Sequence, residues 1–294
     1  MKEKERYLVY GASGVQGGAV AQLLIMNEQQ VRTVTRSNET AITLRNQGID
    51  AFIGDFSDNE SLDKAHQGID KVFLNVPVDF DLRKVRRNFR NAVDAAQRAN
   101  VKLLVVNTSV FVYEQPTDCL AIEIKRELIS YVKESGVPYI IVQPIVYMEN
   151  LLIPGVLNDG VLAYPVPSNK PIAWISAEDA AKYHFYALTH AELEGNTLQA
   201  PGPEALTGAQ LSERISNILN QKIEFVSLPF EGFEAAISPM LGKETALGLS
   251  GLYRWLSQNT ELLPDFSEAN PKIISSFQWT TLSEWLEKVL KKQQ

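Results

Sequence analysis

Three glycines, Gly11, Gly14 and Gly17, stand at a three-residue spacing in Tyr7-Leu8-Val9-Tyr10-Gly11-Ala12-Ser13-Gly14-Val15-Gln16-Gly17-Gly18, between an apolar run and a segment of helical periodicity. A strand–turn–helix junction of this kind cradles a dinucleotide. Gly11 turns tightly out of the strand, Gly14 lets backbone approach a pyrophosphate, and Gly17 lets the helix pack on the sheet while its N-terminus offers unpaired N–H groups. Ala12, Ser13, Val15 and Gln16 belong to the same cradle. The second apolar run ends Val34-Thr35-Arg36-Ser37, with no carboxylate where a domain that prefers NAD holds the ribose hydroxyls. Arg36, aided by Arg32 or Ser37, suits the 2′-phosphate of NADP instead; the alternative is an exposed strand-end arginine. In Gly54-Asp55-Phe56-Ser57-Asp58, Asp55 can accept from an adenine amino group while Phe56 lies against the ring, and Ser57 or Asp58 can cap the helix that follows.

These residues need a scaffold, and the hydropathy pattern supplies one. Apolar, β-branched runs recur at Tyr7 to Tyr10, Val31 to Thr35, Ala51 to Ile53, Val72 to Val76, Leu103 to Val106 and Tyr139 to Val142, separated by helical periods. That alternation predicts an α/β fold, a doubly wound parallel sheet with helices on both faces. After the fourth run, Leu82, Val85, Phe89, Ala92, Val93 and Ala96 form a stripe that packs on the sheet. Arg83, Arg86, Arg87 and Arg90 share the opposite side and read as a solvated basic face. Beyond Asn150 the alternation fails and Pro154, Gly155, Gly160, Pro165, Pro167 and Pro171 crowd the chain. The expected division is therefore 1–150 for cofactor binding, rejoined by about 172–190, and 151–294 for a smaller lobe that selects a substrate or partner. Capped or periodic helices are expected after Thr207, over Gly242 to Leu256 and over Leu282 to Leu290. Ser176-Ala177-Glu178-Asp179 reads as a helix N-terminus rather than an acidic site.

The 294 residues carry 28 basic against 35 acidic side chains, a net charge of −7, which argues against direct nucleic-acid or anionic-membrane binding. Cys119 is the single cysteine, so a disulfide within the chain and a thiolate metal cluster are excluded and a reducing cytoplasm is expected. No apolar run is long enough for a bilayer, and Met1 to Arg6 lacks the apolar segment of a signal peptide. His66, His184 and His190 show no metal-ligand spacing, and no metal is expected.

The glycine motif with Gln16, Gly54 to Asp58, and Val137-Pro138-Tyr139-Ile140-Ile141-Val142-Gln143-Pro144 with Met148-Glu149-Asn150 resemble the NmrA-like group of atypical short-chain dehydrogenases/reductases. The likeness runs to Trp279-Thr280-Thr281-Leu282-Ser283-Glu284-Trp285-Leu286. It implies a Rossmann-type domain with a smaller C-terminal lobe and NADP(H) as cofactor. That group holds isoflavone-reductase-like enzymes, NADPH quinone reductases and non-catalytic sensors of the nicotinamide pool. By the same resemblance, Asn75-Val76-Pro77 run past the adenine ribose, with Pro77 equally able just to stop the strand, Thr108 and Ser109 occupy the fifth strand end, and Pro144 to Val146 lie beside the carboxamide. Lys125 matches the superfamily lysine, but the tyrosine four residues earlier is replaced by Ala121. The usual phenol relay is thereby excluded. Lys125 then either handles the proton or only holds the nicotinamide ribose, and Tyr147 or Tyr113 are the phenols that could stand in. The resemblance implies hydride transfer from NADPH to a small quinone or conjugated carbonyl. The alternative is an NADP(H)-sensing regulator with a protein partner or a second copy of itself, and an epimerase-like activity ranks behind both for want of the tyrosine.

Overall fold

The computed structural model describes residues 4–75 and 79–292. In chain order the first elements are β1 (Arg6–Val9), α1 (Val15–Met26), β2 (Gln30–Thr35), α2 (Asn38–Asn46), β3 (Asp50–Ile53), α3 (Asn59–His66), β4 (Lys71–Leu74), α4 (Leu82–Arg98), β5 (Leu103–Asn107), α5 (Leu120–Glu134) and β6 (Tyr139–Pro144). They are followed by β7 (Val146–Tyr147), β8 (Leu157–Asn158), β9 (Val161–Tyr164), β10 (Ile172–Ile175), α6 (Ala177–Thr189), β11 (Thr197–Ala200), β12 (Glu204–Leu206), α7 (Gly208–Leu219), β13 (Glu224–Ser227), α8 (Phe230–Leu241), α9 (Lys243–Gln258), α10 (Pro271–Ser276) and α11 (Leu282–Lys292).

The main sheet runs β11-β6-β5-β4-β1-β2-β3. From β6 to β3 every neighbouring pair is parallel, with Tyr7 opposite Val31 and Lys71, and Val105 opposite Phe73 and Ile140. All six strands expected from the hydropathy runs are present, and the order 3-2-1-4-5-6 is that of a Rossmann-type doubly wound sheet. Its strands read as continuous apolar runs because helices cover both faces: Leu8, Val9, Val72, Phe73, Val105 and Ile141 are fully buried. The stripe of α4 is buried as its period requires, through Val85, Phe89, Ala92, Val93 and Ala96. Where β1 and β4 part, helices leave on opposite sides, and the crevice at their carboxyl ends is where such folds bind ligands.

Residue contacts divide the chain into two compact units. One comprises residues 1–109, 125–143 and 180–198; the other comprises 110–124, 144–179 and 199–294. The second holds two three-stranded sheets, β12-β10-β7 and β13-β9-β8. It also contains α7, whose Thr207 and Gln210 form a reciprocal capping box. As expected, Ser176 caps α6, accepting from the Asp179 N–H at 3.0 Å. Among the described residues no helix is long and apolar enough to cross a membrane.

The first unit buries a histidine that carries a pH dependence. His184 lies edge-on to Phe73 at 4.9 Å, and among the described residues neither ring nitrogen has a hydrogen-bond partner. Desolvation holds its pKa down to about 3, against 6.5 when exposed. The unfolded chain therefore takes up a proton first as pH falls. Stability is complete above about pH 6.5 and declines below it, by up to about 1.4 kcal/mol per pH unit for one such group. His184→Leu is expected to flatten this acid limb. Urea midpoints at pH 7.5 and 5 should show the variant gaining more over wild type at pH 5, and an equal gain at both would refute the account.

Candidate functional site

The site is built on the β1–α1 turn. Gly11 takes φ +75°, a region closed to most side chains. Gly17 touches the turn so closely that a Cβ there would lie 2.4 Å from the Gly11 carbonyl oxygen and 2.7 Å from that of Tyr10. Gly14 is the N-cap of α1, with no side-chain cap and no acidic residue in the first turn, so the first N–H groups of the helix remain for a ligand. The turn crosses to β4: the amide nitrogen of Asn75 lies 3.8 Å from where a Gly11 Cβ would stand. The close approach of Gly17 and the uncapped helix end fit a pyrophosphate.

On the β2–β3 side, a groove of about 240 Å³ is lined by residues including Gly11, Arg36, Asp55, Phe56 and Asn75. Arg36 is 82% exposed and lies 3.7 Å from Asp55 Oδ2, leaving its guanidinium available to an anion. Its two expected helpers are engaged elsewhere. Arg32 donates to Asp50 at 2.7 Å and to the Ala65 and Gln67 carbonyls, and Ser37 caps α2. Ser57 donates to Asp55 through backbone and hydroxyl, which with nearby Arg36 lowers the carboxyl pKa and keeps it an acceptor. Asp58 caps α3, as expected of this turn. Phe56 stacks on Tyr10 with centroids 4.8 Å apart.

Three groove residues escaped the sequence reading: Asp79 and Lys84, which pair at 2.6 Å, and Asn88, one helical turn beyond Lys84 on α4. The nearby arginines drew attention instead, and two of these prove to be structural, since Arg86 pairs with Glu127 at 2.8 Å and Arg90 at 3.4 Å. Val76 and Pro77 lie outside the described residues.

At the carboxyl end of β5, Asn107, Thr108 and Lys125 line one small cavity with Phe89 and Val106. Thr108 is buried, its hydroxyl donating to the Val142 carbonyl at 3.1 Å. Lys125 is half-buried, and among the described residues its ammonium has no partner. Desolvation alone pushes its pKa down to about 8. One turn earlier, Ala121 is buried at the position of the missing tyrosine. In the second unit, Tyr147 is buried in β7 beside Ile175 of β10, Pro144 closes β6, and Tyr113 lies 6.0 Å from the Trp255 ring. No cluster of metal-ligating side chains occurs among the described residues.

The model of the NmrA-like family matches residues 3–286. A (4-alkanoyl-5-oxo-2,5-dihydrofuran-3-yl)methyl phosphate reductase of Streptomyces griseus is 32% identical over 240 residues, 80% of each chain. An NAD(P)H azoreductase of Xenophilus azovorans is 29% identical over 238 residues, 79% of this chain and 80% of that one. The NADPH-dependent quinone oxidoreductase of Escherichia coli, solved with NADPH, superposes with a TM-score of 0.82 at 24% identity, covering 97% of this chain and 99% of that one.

Proposed function

This chain belongs to the NmrA-like family, and on that premise we propose that it is an NADPH-dependent reductase of a small electron-poor acceptor, a quinone or conjugated carbonyl. Its relatives include an NAD(P)H azoreductase and an NADPH-dependent quinone oxidoreductase, and NADP(H) is the cofactor. The observation that carries the catalytic reading is Lys125, a desolvated ammonium on α5 that borders the cavity at the end of β5 and has no partner among the described residues. The α1 N-terminus holds the pyrophosphate, Arg36 the 2′-phosphate, and Asp55 and Phe56 the adenine. When bound, the reduced nicotinamide supplies a hydride. Lys125 Nζ holds a proton at neutral pH and releases it more readily than an ordinary lysine, so it can neutralise the oxyanion developing on the acceptor. Lys125 is favoured over Tyr147 because Tyr147 is packed into β7, whereas the ammonium borders a cavity. The second unit is proposed to select the acceptor. Ala121 supports a second reading, a non-catalytic NADP(H) sensor with a protein partner.

The test has two stages. NADPH and NADH are titrated into wild type and Arg36→Ala, and the variant is expected to lose about 10-fold or more in affinity for NADPH and little for NADH; equal losses would remove the 2′-phosphate contact. NADPH oxidation is then followed against quinones, enones and azo dyes. Turnover above the protein-free rate supports the reductase, and tight binding without consumption supports the sensor.

A further inference from the structure

Four polar side chains meet where β1, β4 and β5 end: Gln16, Asn75, Asn107 and Ser109. Asn107 Nδ2 donates to Gln16 Oε1 at 2.7 Å and, more weakly, to Asn75 Oδ1 at 3.5 Å. Ser109 Oγ lies 2.9 Å from Gln16 Oε1 and 3.2 Å from Asn75 Oδ1. The direction in which this network runs follows from one group. The backbone N–H of Ser109 can only donate, and it does so to Asn107 Oδ1 at 2.9 Å. Asn107 must therefore turn its NH₂ outward, and that NH₂ calls for oxygens, while the single proton of the Ser109 hydroxyl can go to only one of the two it touches. Gln16 answers with its carbonyl oxygen at 2.7 Å, an orientation the Asn107 NH₂ dictates, and Asn75 turns its own oxygen to the second Asn107 proton through the longer 3.5 Å contact. The Ser109 φ of +61° is uncommon for serine and brings its N–H and hydroxyl to bear on the set.

One consequence is that Gln16 Nε2 and Asn75 Nδ2 point away from the network. Neither has a hydrogen-bond partner among the described residues, and both residues are only half-buried. Two amide donors are thus presented at the crevice between β1 and β4, with Asn75 lining the groove. We propose that Asn107 and Ser109 are positioning residues that lock the amides of Gln16 and Asn75 with their NH₂ groups facing the ligand, selecting for an acceptor oxygen of the dinucleotide's phosphates or ribose. The ligand class rests on the reading of function given above; the amide orientation does not.

The orientation is tested on the free protein by hydrogen exchange of side-chain amides in ¹⁵N spectra. The Asn107 NH₂ should be protected and those of Gln16 and Asn75 should exchange freely; a protected Gln16 NH₂ overturns the proposal. The role is tested with Ser109→Gly, which removes the hydroxyl but accommodates the positive φ. It should weaken NADPH binding by about 3- to 10-fold, the scale of one or two lost hydrogen bonds, with the ligand-free Tm unchanged or raised. In a Gln16→Met background the same change should weaken binding less than about 2-fold, because its main partner is gone. Wild-type affinity in Ser109→Gly, or an equal loss in both backgrounds, overturns the proposal. If wild type binds no NADPH at all, the functional reading falls, while the exchange experiment still decides the orientation.

Discussion

Replacing Lys125 by methionine is expected to lower kcat by about 10²- to 10⁴-fold while the affinity for NADPH changes by less than about threefold, the range for loss of a general acid. Methionine matches the stem of lysine and leaves the cavity beside Asn107 and Thr108 filled, so the change removes the proton and little else. The pH profile makes the test sharper. The ammonium has a pKa of about 8, and the protonated form is the donor, so wild-type kcat should fall as pH rises through about 8. The residual activity of Lys125→Met should lack that limb. Stability should move the opposite way. Because folding depresses the pKa below 10.5, the unfolded chain binds more protons between about 8 and 10.5, and wild type gains stability over that window. The variant should therefore melt above wild type at pH 7, with the gap closing at higher pH. Unchanged turnover, or a loss of NADPH affinity matching the loss of kcat, would remove Lys125 from the chemistry.

Gly17→Ala is expected to be the most damaging single-methyl change in the cradle. The added Cβ would stand 2.4 Å from the Gly11 carbonyl oxygen and 2.5 Å from its carbon, contacts that only a shift of α1 from the β1 turn relieves. Overpacking of this kind costs about 1–3 kcal/mol. The shift also moves the helix end proposed to hold the pyrophosphate, so NADPH affinity should fall by about 10-fold or more. Gly14→Ala is the control, since its Cβ would meet the same carbonyl oxygen at 3.4 Å, an ordinary contact. It should keep the Tm of wild type and weaken NADPH only through crowding of the ligand itself. Calorimetry and fluorescence titration of both variants separate the roles, and equal melting temperatures would refute the packing argument.

The parts of this molecule that were legible in the sequence have local causes. Strands buried on both faces must be apolar throughout, and α4 must repeat its stripe every turn, so β1 to β6 and the helices between them could be read from hydropathy. The glycine motif was legible because it is contiguous. What escaped reading depends on distance or on exception. The network at Gln16 joins residues 91 and 93 positions away, and neither Asn107 nor Ser109 is unusual until the fold brings them together. Helix α8 has Pro239 inside it and Gly232 near its start, so propensity argues against a helix that packing on α9 sustains. Strand β11 is four residues of mixed polarity, too short to declare itself.

The path of the backbone bears on how this protein can be made. The first unit is left after Ser109, re-entered at Lys125, left again after Gln143 and completed only by residues 180–198. Strand β11 borders β6, whose Ile140, Ile141 and Val142 are fully buried in the finished protein. A nascent chain halted near residue 150 would hold all the loops proposed to bind the cofactor yet would present β6 as a bare apolar edge, open to pairing with other chains. Synthesis must run about fifty residues further before that edge can close. A truncation placed at the end of the glycine-motif half is therefore an aggregation hazard, and the shortest expressible nucleotide-binding piece must reach past Leu198.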